Sequence, residues 1–153
     1  MNLQRQQFFL TNIGDIGFFS DVSEGYRYSN QMIPAQTLSS NIILPWIMEN
    51  VNKLLGTNFN AILINKYSDG SKNLGPHSDD EKALDQSKRM VVGLAFGATR
   101  LFRITRKDTG EKVLDYEHKS GTLIVMDGDF QSEFKHAIPK QLRVKDSRTS
   151  ITF

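Results

Sequence analysis

His77, Asp79 and His136 are side-chain types that ligate metal ions, and Arg148 is a type that grips carboxylates. On an extended segment, residues two apart project to one face, so His77 and Asp79 can hold the same ion. A histidine arriving from a distant strand, His136, completes a set of two imidazoles and one carboxylate. That set covers one face of an octahedral Fe(II) and leaves three positions for a bidentate co-substrate and O2. Arg148, 12 residues beyond His136, could receive the far carboxylate of 2-oxoglutarate as that co-substrate. A lone His-x-Asp pair is more often a solvated loop; the ordered set with its flanking residues is what points to a site.

Composition narrows the choice of ligands. The 153 residues contain no cysteine, which excludes a disulfide framework and a thiolate site and leaves His and carboxylates. The absence fits a reducing, intracellular compartment. No apolar run approaches the roughly 20 residues of a membrane span, and the polar stretch Asn2–Gln7 is unlike a signal peptide. A net charge of +2 does not demand a polyanionic partner, so nucleic-acid binding has to rest on local basic clusters.

The elements that must position these residues are mostly strands. No repeat or linker interrupts the chain, and a single domain over 1–153 is expected, with a helix-bearing segment at 1–58 and a β-core at 59–153. Ile43, Ile47, Val51 and Leu54 form one apolar stripe of a helix over about Asn41 to Leu55, with Gly56 as its stop and Pro45 in its first turn. Phe59, Ala61, Leu63, Asn65 and Tyr67 share one face of a strand that ends at Asp69-Gly70. Further strands are expected at Met90–Phe96, Leu101–Thr105, Val113–Tyr116, Thr122–Met126, Glu133–His136 and Thr149–Phe153, with Asp108-Thr109-Gly110 as a hairpin turn. Many short strands after one helix predict a mainly β sandwich or jelly roll with helical support.

Six segments are read together: Ile64-Asn65-Lys66-Tyr67-Ser68-Asp69-Gly70, His77-Ser78-Asp79-Asp80-Glu81, Phe96-Gly97-Ala98-Thr99-Arg100, Gly121-Thr122-Leu123 through Val125-Met126, His136-Ala137-Ile138-Pro139, and Arg148-Thr149-Ser150-Ile151-Thr152-Phe153. With them the chain, over about Tyr26 to Phe153, resembles the AlkB-like dioxygenases. The resemblance implies a double-stranded β-helix with the metal near one open end. It implies that His77, Asp79 and His136 hold Fe(II), and that Asn65, Tyr67, Arg148, Ser150 and Thr152 contact 2-oxoglutarate. The activity implied is oxidative dealkylation of N-alkylated bases in DNA or RNA, with O2 consumed and succinate, CO2 and aldehyde released. Where the family carries a second Arg after the Thr-Phe pair, this sequence stops at Phe153. The expectation from that departure is a truncated chain or part of a larger polypeptide, otherwise a monomer with no membrane contact.

On the substrate side, Tyr26-Arg27-Tyr28-Ser29 resembles the family's nucleotide-recognition segment, which implies a tyrosine stacked on a flipped base, Tyr28 before Tyr26. The alternative is that both rings pack on the barrel. Asp80 and Glu81 resemble residues that contact the target base; without the family they read as a solvated acidic loop. Lys88, Arg89, Arg100, Arg103, Arg106, Lys107, Lys135, Lys140, Arg143 and Lys145 could hold a phosphate backbone, or be ordinary solvated side chains. Arg100, inside a matched segment, is a substrate contact in this reading. His118 reads as exposed and outside the site. Two rivals remain: the same oxygenase chemistry on a protein or lipid, and an inactive barrel that serves as a binding module.

Overall fold

The computed structural model describes residues 9–10, 15–28, 30–81 and 89–153. Lys88, Ser29 and the segment Asn2–Gln7, all singled out from the sequence, lie outside them.

The strands are β1 (Phe9–Leu10), β2 (Asp15–Ser20), β3 (Gly25–Tyr28), β4 (Gln31–Gln36), β5 (Ala61–Tyr67) and β6 (Leu74–His77). Then follow β7 (Val91–Gly97), β8 (Arg100–Arg106), β9 (Lys112–His118), β10 (Leu123–Met126), β11 (Phe134–Ile138) and β12 (Arg148–Thr152). Among the described residues two α-helices accompany them, α1 (Ile43–Leu55) and the single turn α2 (Phe130–Glu133). The larger sheet runs β10-β7-β12-β5-β2-β4-β3, with β1 also on β2; the smaller runs β6-β11-β8-β9. Tyr67 and Met126 of the larger sheet pack against Phe102 and Ile138 of the smaller, so the sheets face each other across an apolar core. This is the expected jelly roll.

Each face of the larger sheet has its own task. Ile62, Ile64, Val92, Leu94 and Ile151 pack outward with Leu44 and Val51 of α1. The alternate residues point inward, and the register aligns them: Tyr67 opposite Arg148, Asn65 opposite Ser150, Leu63 opposite Thr152. The same inward face continues through Ile16 and Phe18 of β2 and Ile33 of β4 to Tyr26 and Tyr28 of β3.

Helix α1 differs from the expectation in its phase. Its buried stripe is Leu44, Ile47, Met48, Val51 and Leu55, while Ile43 and Leu54 are 61% and 71% exposed. The helix is apolar around much of its circumference, so the sequence admits two stripes one residue apart. Asn41 does not join the helix; its Oδ1 accepts from the Ile43 and Leu44 amides at 2.7 and 3.1 Å, as a cap does. Pro45 is thereby in the first turn, and Gly56 ends the helix in the left-handed conformation at φ 65°. Phe59 precedes β5 and packs on the outer face, against Phe153 at 6.2 Å between rings. The sheet does not begin near residue 59 either. β2, β3 and β4 extend it on the N-terminal side, and in β2 the run Ile16–Ser20 is buried throughout, without the alternation that marks a half-exposed strand. At the predicted turn, Gly110 takes φ 74° and donates to the Arg106 carbonyl at 3.0 Å.

Candidate metal centre

The pairing of β6 with β11 sets His77 directly opposite His136, with 4.2 Å between ring centroids. Asp79, just beyond β6, lies between their Nε2 atoms: Oδ1 is 3.5 Å from His77 and Oδ2 is 3.4 Å from His136. Nitrogen and oxygen donors of all three residues fall within 4.8 Å of one another, the geometry of a group able to hold one ion. His77 Nδ1 sits 2.9 Å from the Gly75 carbonyl, which fixes the proton on Nδ1 and leaves Nε2 as a ligand. The loop that carries Asp79 is pinned twice. Ser78 Oγ donates to the Phe134 carbonyl at 2.8 Å, and the Asp79 amide donates to Gln131 Oε1 at 2.8 Å. His136 lies flat against Phe102, with centroids 5.2 Å apart and planes 12° apart.

The electrostatics suit a cation. Burial works against a charged Asp79, yet the hydrogen bond from His77 and the two imidazoles hold its carboxyl below the usual range. Burial pushes His136 down to about 4. Burial acts on His77 too, but the Asp79 bond outweighs it and leaves its pKa raised. Two neutral or readily neutralised imidazoles around a fixed carboxylate match a divalent first-row metal, and Fe(II) with open positions is the ion such a set serves.

Beside this cluster the inward face holds polar groups that lack partners. Arg148 is 1% exposed, and among the described residues no carboxylate lies within ion-pair distance of it. Its Nε and the Oδ1 of Asn65 are buried without hydrogen-bond partners. Burial lowers the pKa of Arg148 to about 10, still charged at neutral pH. A buried cation without a counter-ion calls for an anionic ligand. Tyr67, on the neighbouring strand, is buried, and burial raises its hydroxyl pKa. Ser150 and Thr152 share that face, half-buried. Gly97, opposite Arg148, takes φ 86°, and a side chain there would collide with the Ser147 carbonyl.

Arg100 has a different place from the substrate contact predicted for it. It is 1% exposed, and its guanidinium donates to the carbonyls of Asp69, Lys72 and Pro139 and to Gln141 Oε1 at 2.8–3.2 Å. Its Cζ also lies 5.9 Å from the Tyr67 ring centroid. It is a clamp that ties two loops together: four of its five N–H donors are taken, and it is buried away from any oligonucleotide. His118 is likewise not exposed but 1% accessible, against Arg148. Sequence reasoning missed it, together with the buried Gln131 and the half-buried Gln141, because isolated polar residues of this kind leave no periodic signal.

The remaining predicted positions lie around the mouth. Tyr26 stacks on Phe18 at 5.5 Å, and its hydroxyl donates to Glu81. Tyr28 leans on Tyr26 at 6.4 Å with its hydroxyl buried and without a partner; burial, then the charge of Asp79, push that hydroxyl up to about 12. Both rings pack against the cluster of Phe18 and Ile33 and stay half-buried. Asp80 is exposed and bonds Lys107 Nζ at 2.5 Å. The basic residues are partly neutralised: Arg103 pairs with Asp115, Arg106 with Asp108 and, more loosely at 3.9 Å, Arg89 with Asp129. A cleft of about 820 Å³ opens beside Asp79 and Asp80 and takes in Arg89, Lys107 and Asn58.

Comparison with known proteins agrees with this chemistry. Residues 3–153 match the family model described as the 2OG-Fe(II) oxygenase superfamily. The rat protein "Alpha-ketoglutarate-dependent dioxygenase alkB homolog 3" is 32% identical over 117 residues, covering 71% of this chain and 39% of that protein. The mouse "DNA oxidative demethylase ALKBH2" is 30% identical over 118 residues, covering 72% of this chain and 49% of that protein. The chain thus spans less than half the length of these relatives. A solved structure titled "The structure of OsALKBH1" superposes with a TM-score of 0.60 at 14% identity, over 98% of this chain and 80% of that one, and shares the fold.

Proposed function

The chain belongs to the 2OG-Fe(II) oxygenase superfamily, and from that premise we propose that it oxidatively removes alkyl groups from N-alkylated bases of DNA or RNA. The observation that carries the reading is that two incomplete sites share the interior of the sandwich, one on the inner face of each sheet. Three donor residues converge for a metal, and beside them a buried Arg148 and Asn65 have polar atoms awaiting a ligand.

Bound Fe(II) with 2-oxoglutarate and O2 supplies the oxidation of the alkyl carbon, with succinate and CO2 as co-products and the carbon leaving as aldehyde. His77, Asp79 and His136 would hold the metal. Arg148 receives the distal carboxylate of 2-oxoglutarate, while Asn65 and Tyr67 orient the molecule from the adjacent strand. Phe102, stacked on His136, fixes the orientation of that ring and covers one of its faces. Tyr26, held by Glu81, and Tyr28 form an aromatic wall at the mouth, on which an extruded base can lie. The names of the relatives favour a nucleic acid over other alkylated substrates.

The test is succinate release measured with an N-methylated oligonucleotide, with its unmethylated twin and with protein alone. Stimulation by the methylated strand only, with stoichiometric formaldehyde, is the expected outcome. Succinate release that is stimulated by a peptide or a lipid instead would move the chemistry to that substrate, and no release under any condition would leave an inactive barrel.

A further inference from the structure

His118, the histidine outside the metal cluster, ends β9 in the interior of the sandwich. Phe102 meets its ring edge-on at 6.1 Å, and Tyr116 of its own strand lies at 6.3 Å. Both ring nitrogens have fixed partners: Nε2 is 3.0 Å from the Thr122 carbonyl, and Nδ1 is 2.9 Å from Nη2 of Arg148. A carbonyl only accepts and a guanidinium only donates, so Nε2 carries the proton and Nδ1 is the acceptor. The main-chain carbonyl of His118 accepts from Nη1 of the same guanidinium at 2.9 Å, and the Ala98 carbonyl takes a longer bond from Nη1 at 3.4 Å.

One residue thus engages the Nη1–Nη2 edge of Arg148 with two acceptors. The opposite edge, made by Nε and the second hydrogen of Nη2, is the other fork that a carboxylate can bind in bidentate fashion. Its Nε is buried and has no partner among the described residues.

We propose that His118 is a positioning residue for the co-substrate: its neutral imidazole and its own carbonyl lock Arg148 with the Nε–Nη2 edge turned toward the distal carboxylate. The inference rests on the reading that Arg148 receives that carboxylate, and it adds what fixes the direction of the fork. An aliphatic residue could fill the space beside Phe102, whereas an imidazole buried there is tolerable only with both nitrogens bonded, as they are. Burial holds the ring below the usual imidazole pKa against the pull of the Thr122 carbonyl, and the charge of Arg148 acts in the same direction. Arg148 is the charged group that faces the ring, from β12.

The experiment compares the parent, His118→Leu, His118→Asn and Arg148→Ala as full chains loaded with Mn(II), with 2-oxoglutarate titrated calorimetrically and thermal unfolding recorded. Leu removes the acceptor, and Asn keeps an acceptor near the position of Nδ1. His118→Leu is expected to weaken 2-oxoglutarate about tenfold, the loss of one hydrogen bond to a charged group. With Fe(II), the same variant should raise KM for 2-oxoglutarate and leave kcat near the parent's. His118→Asn should recover most of the affinity. In the metal-free parent, long-range 15N–1H NMR should find the His118 proton on Nε2.

A proton on Nδ1, or an Asn variant that binds no better than Leu, would overturn the proposal. If the Leu variant does not fold, the Asn affinity and the tautomer decide. Parent-like binding by His118→Leu, while Arg148→Ala loses it, sinks the positioning role alone. Unchanged binding by Arg148→Ala sinks the co-substrate reading and this inference with it.

Discussion

At the scale of single residues, the metal cluster and Arg148 make separable demands. Replacing His77, Asp79 or His136 by Ala removes one of three ligands and should abolish succinate release in an assay with excess Fe(II); full activity in any of them would refute the assignment. Truncating one partner of a buried charge pair costs about 2–5 kcal/mol, so Arg148→Ala should raise the 2-oxoglutarate dissociation constant roughly 30-fold or more. The raised pKa of His77 adds a proton-linked expectation. The metal-free protein therefore keeps a proton on His77 to higher pH than an ordinary imidazole would, and metal uptake must release it. The release should grow as pH falls through the His77 pKa, because more of the ring is then protonated before the metal arrives. Calorimetry in buffers of different ionisation enthalpy reads it directly, and a pH-independent release of zero would contradict it. These ligand residues were legible in the sequence because their types are rare and their order is informative. His118 was not, since a histidine in a Lys-Ser-Gly turn carries no mark of the guanidinium it will meet from a strand 30 residues away.

At the scale of elements, α1 offers a direct comparison of the two phases. Leu44 and Val51 are 4% and 5% exposed against the sheet. Leu44→Ala should cost about 2–5 kcal/mol by chemical denaturation. Leu54→Ala, on the outward side, should stay within about 0.5 kcal/mol. The reverse order would restore the stripe predicted from the sequence. Apolar periodicity found the helix and its stop but not its rotation, because Ile43, Leu44, Trp46, Ile47, Met48, Val51, Leu54 and Leu55 exceed what one stripe can hold. Loops posed the opposite problem. The clamp made by Arg100 on the carbonyls of residues 69, 72 and 139 joins segments whose sequences share no pattern. Arg100→Met would leave those acceptors without donors, each worth about 1–3 kcal/mol when buried, and should lower the melting temperature well before it alters substrate preference.

At the scale of the whole molecule, the surface carries both signs of charge closely interleaved. Arg103, Arg106 and Lys107 each have a carboxylate partner, which withdraws three of the predicted cations from phosphate contact. Binding of a methylated oligonucleotide should weaken with salt but shallowly, with a logarithmic slope on the order of −2 to −3. Fluorescence anisotropy across a salt series measures this, and a slope of zero would argue against nucleic acid as the substrate class. The jelly roll was legible from the count and spacing of short strands. The N-terminal extension of its larger sheet was not, because β2 is buried on both sides and β4 joins it in parallel, a pairing that no hairpin signal announces.

The alternation along β12 has a consequence for how this chain can change in length. Ile151 faces the helix, whereas Arg148, Ser150 and Thr152 face the metal side, so the two tasks of the sheet occupy odd and even places of one frame. Inserting a single residue between Arg148 and Thr152 exchanges the places at a stroke: the aliphatic chain enters the pocket and the polar ones go under the helix. Two inserted residues restore parity and displace only the end of the strand. Variation in length should therefore collect in the stretch between Pro139 and Ser147, where nothing alternates, and stay out of the five residues of β12, whose frame keeps the pocket apart from the core behind it.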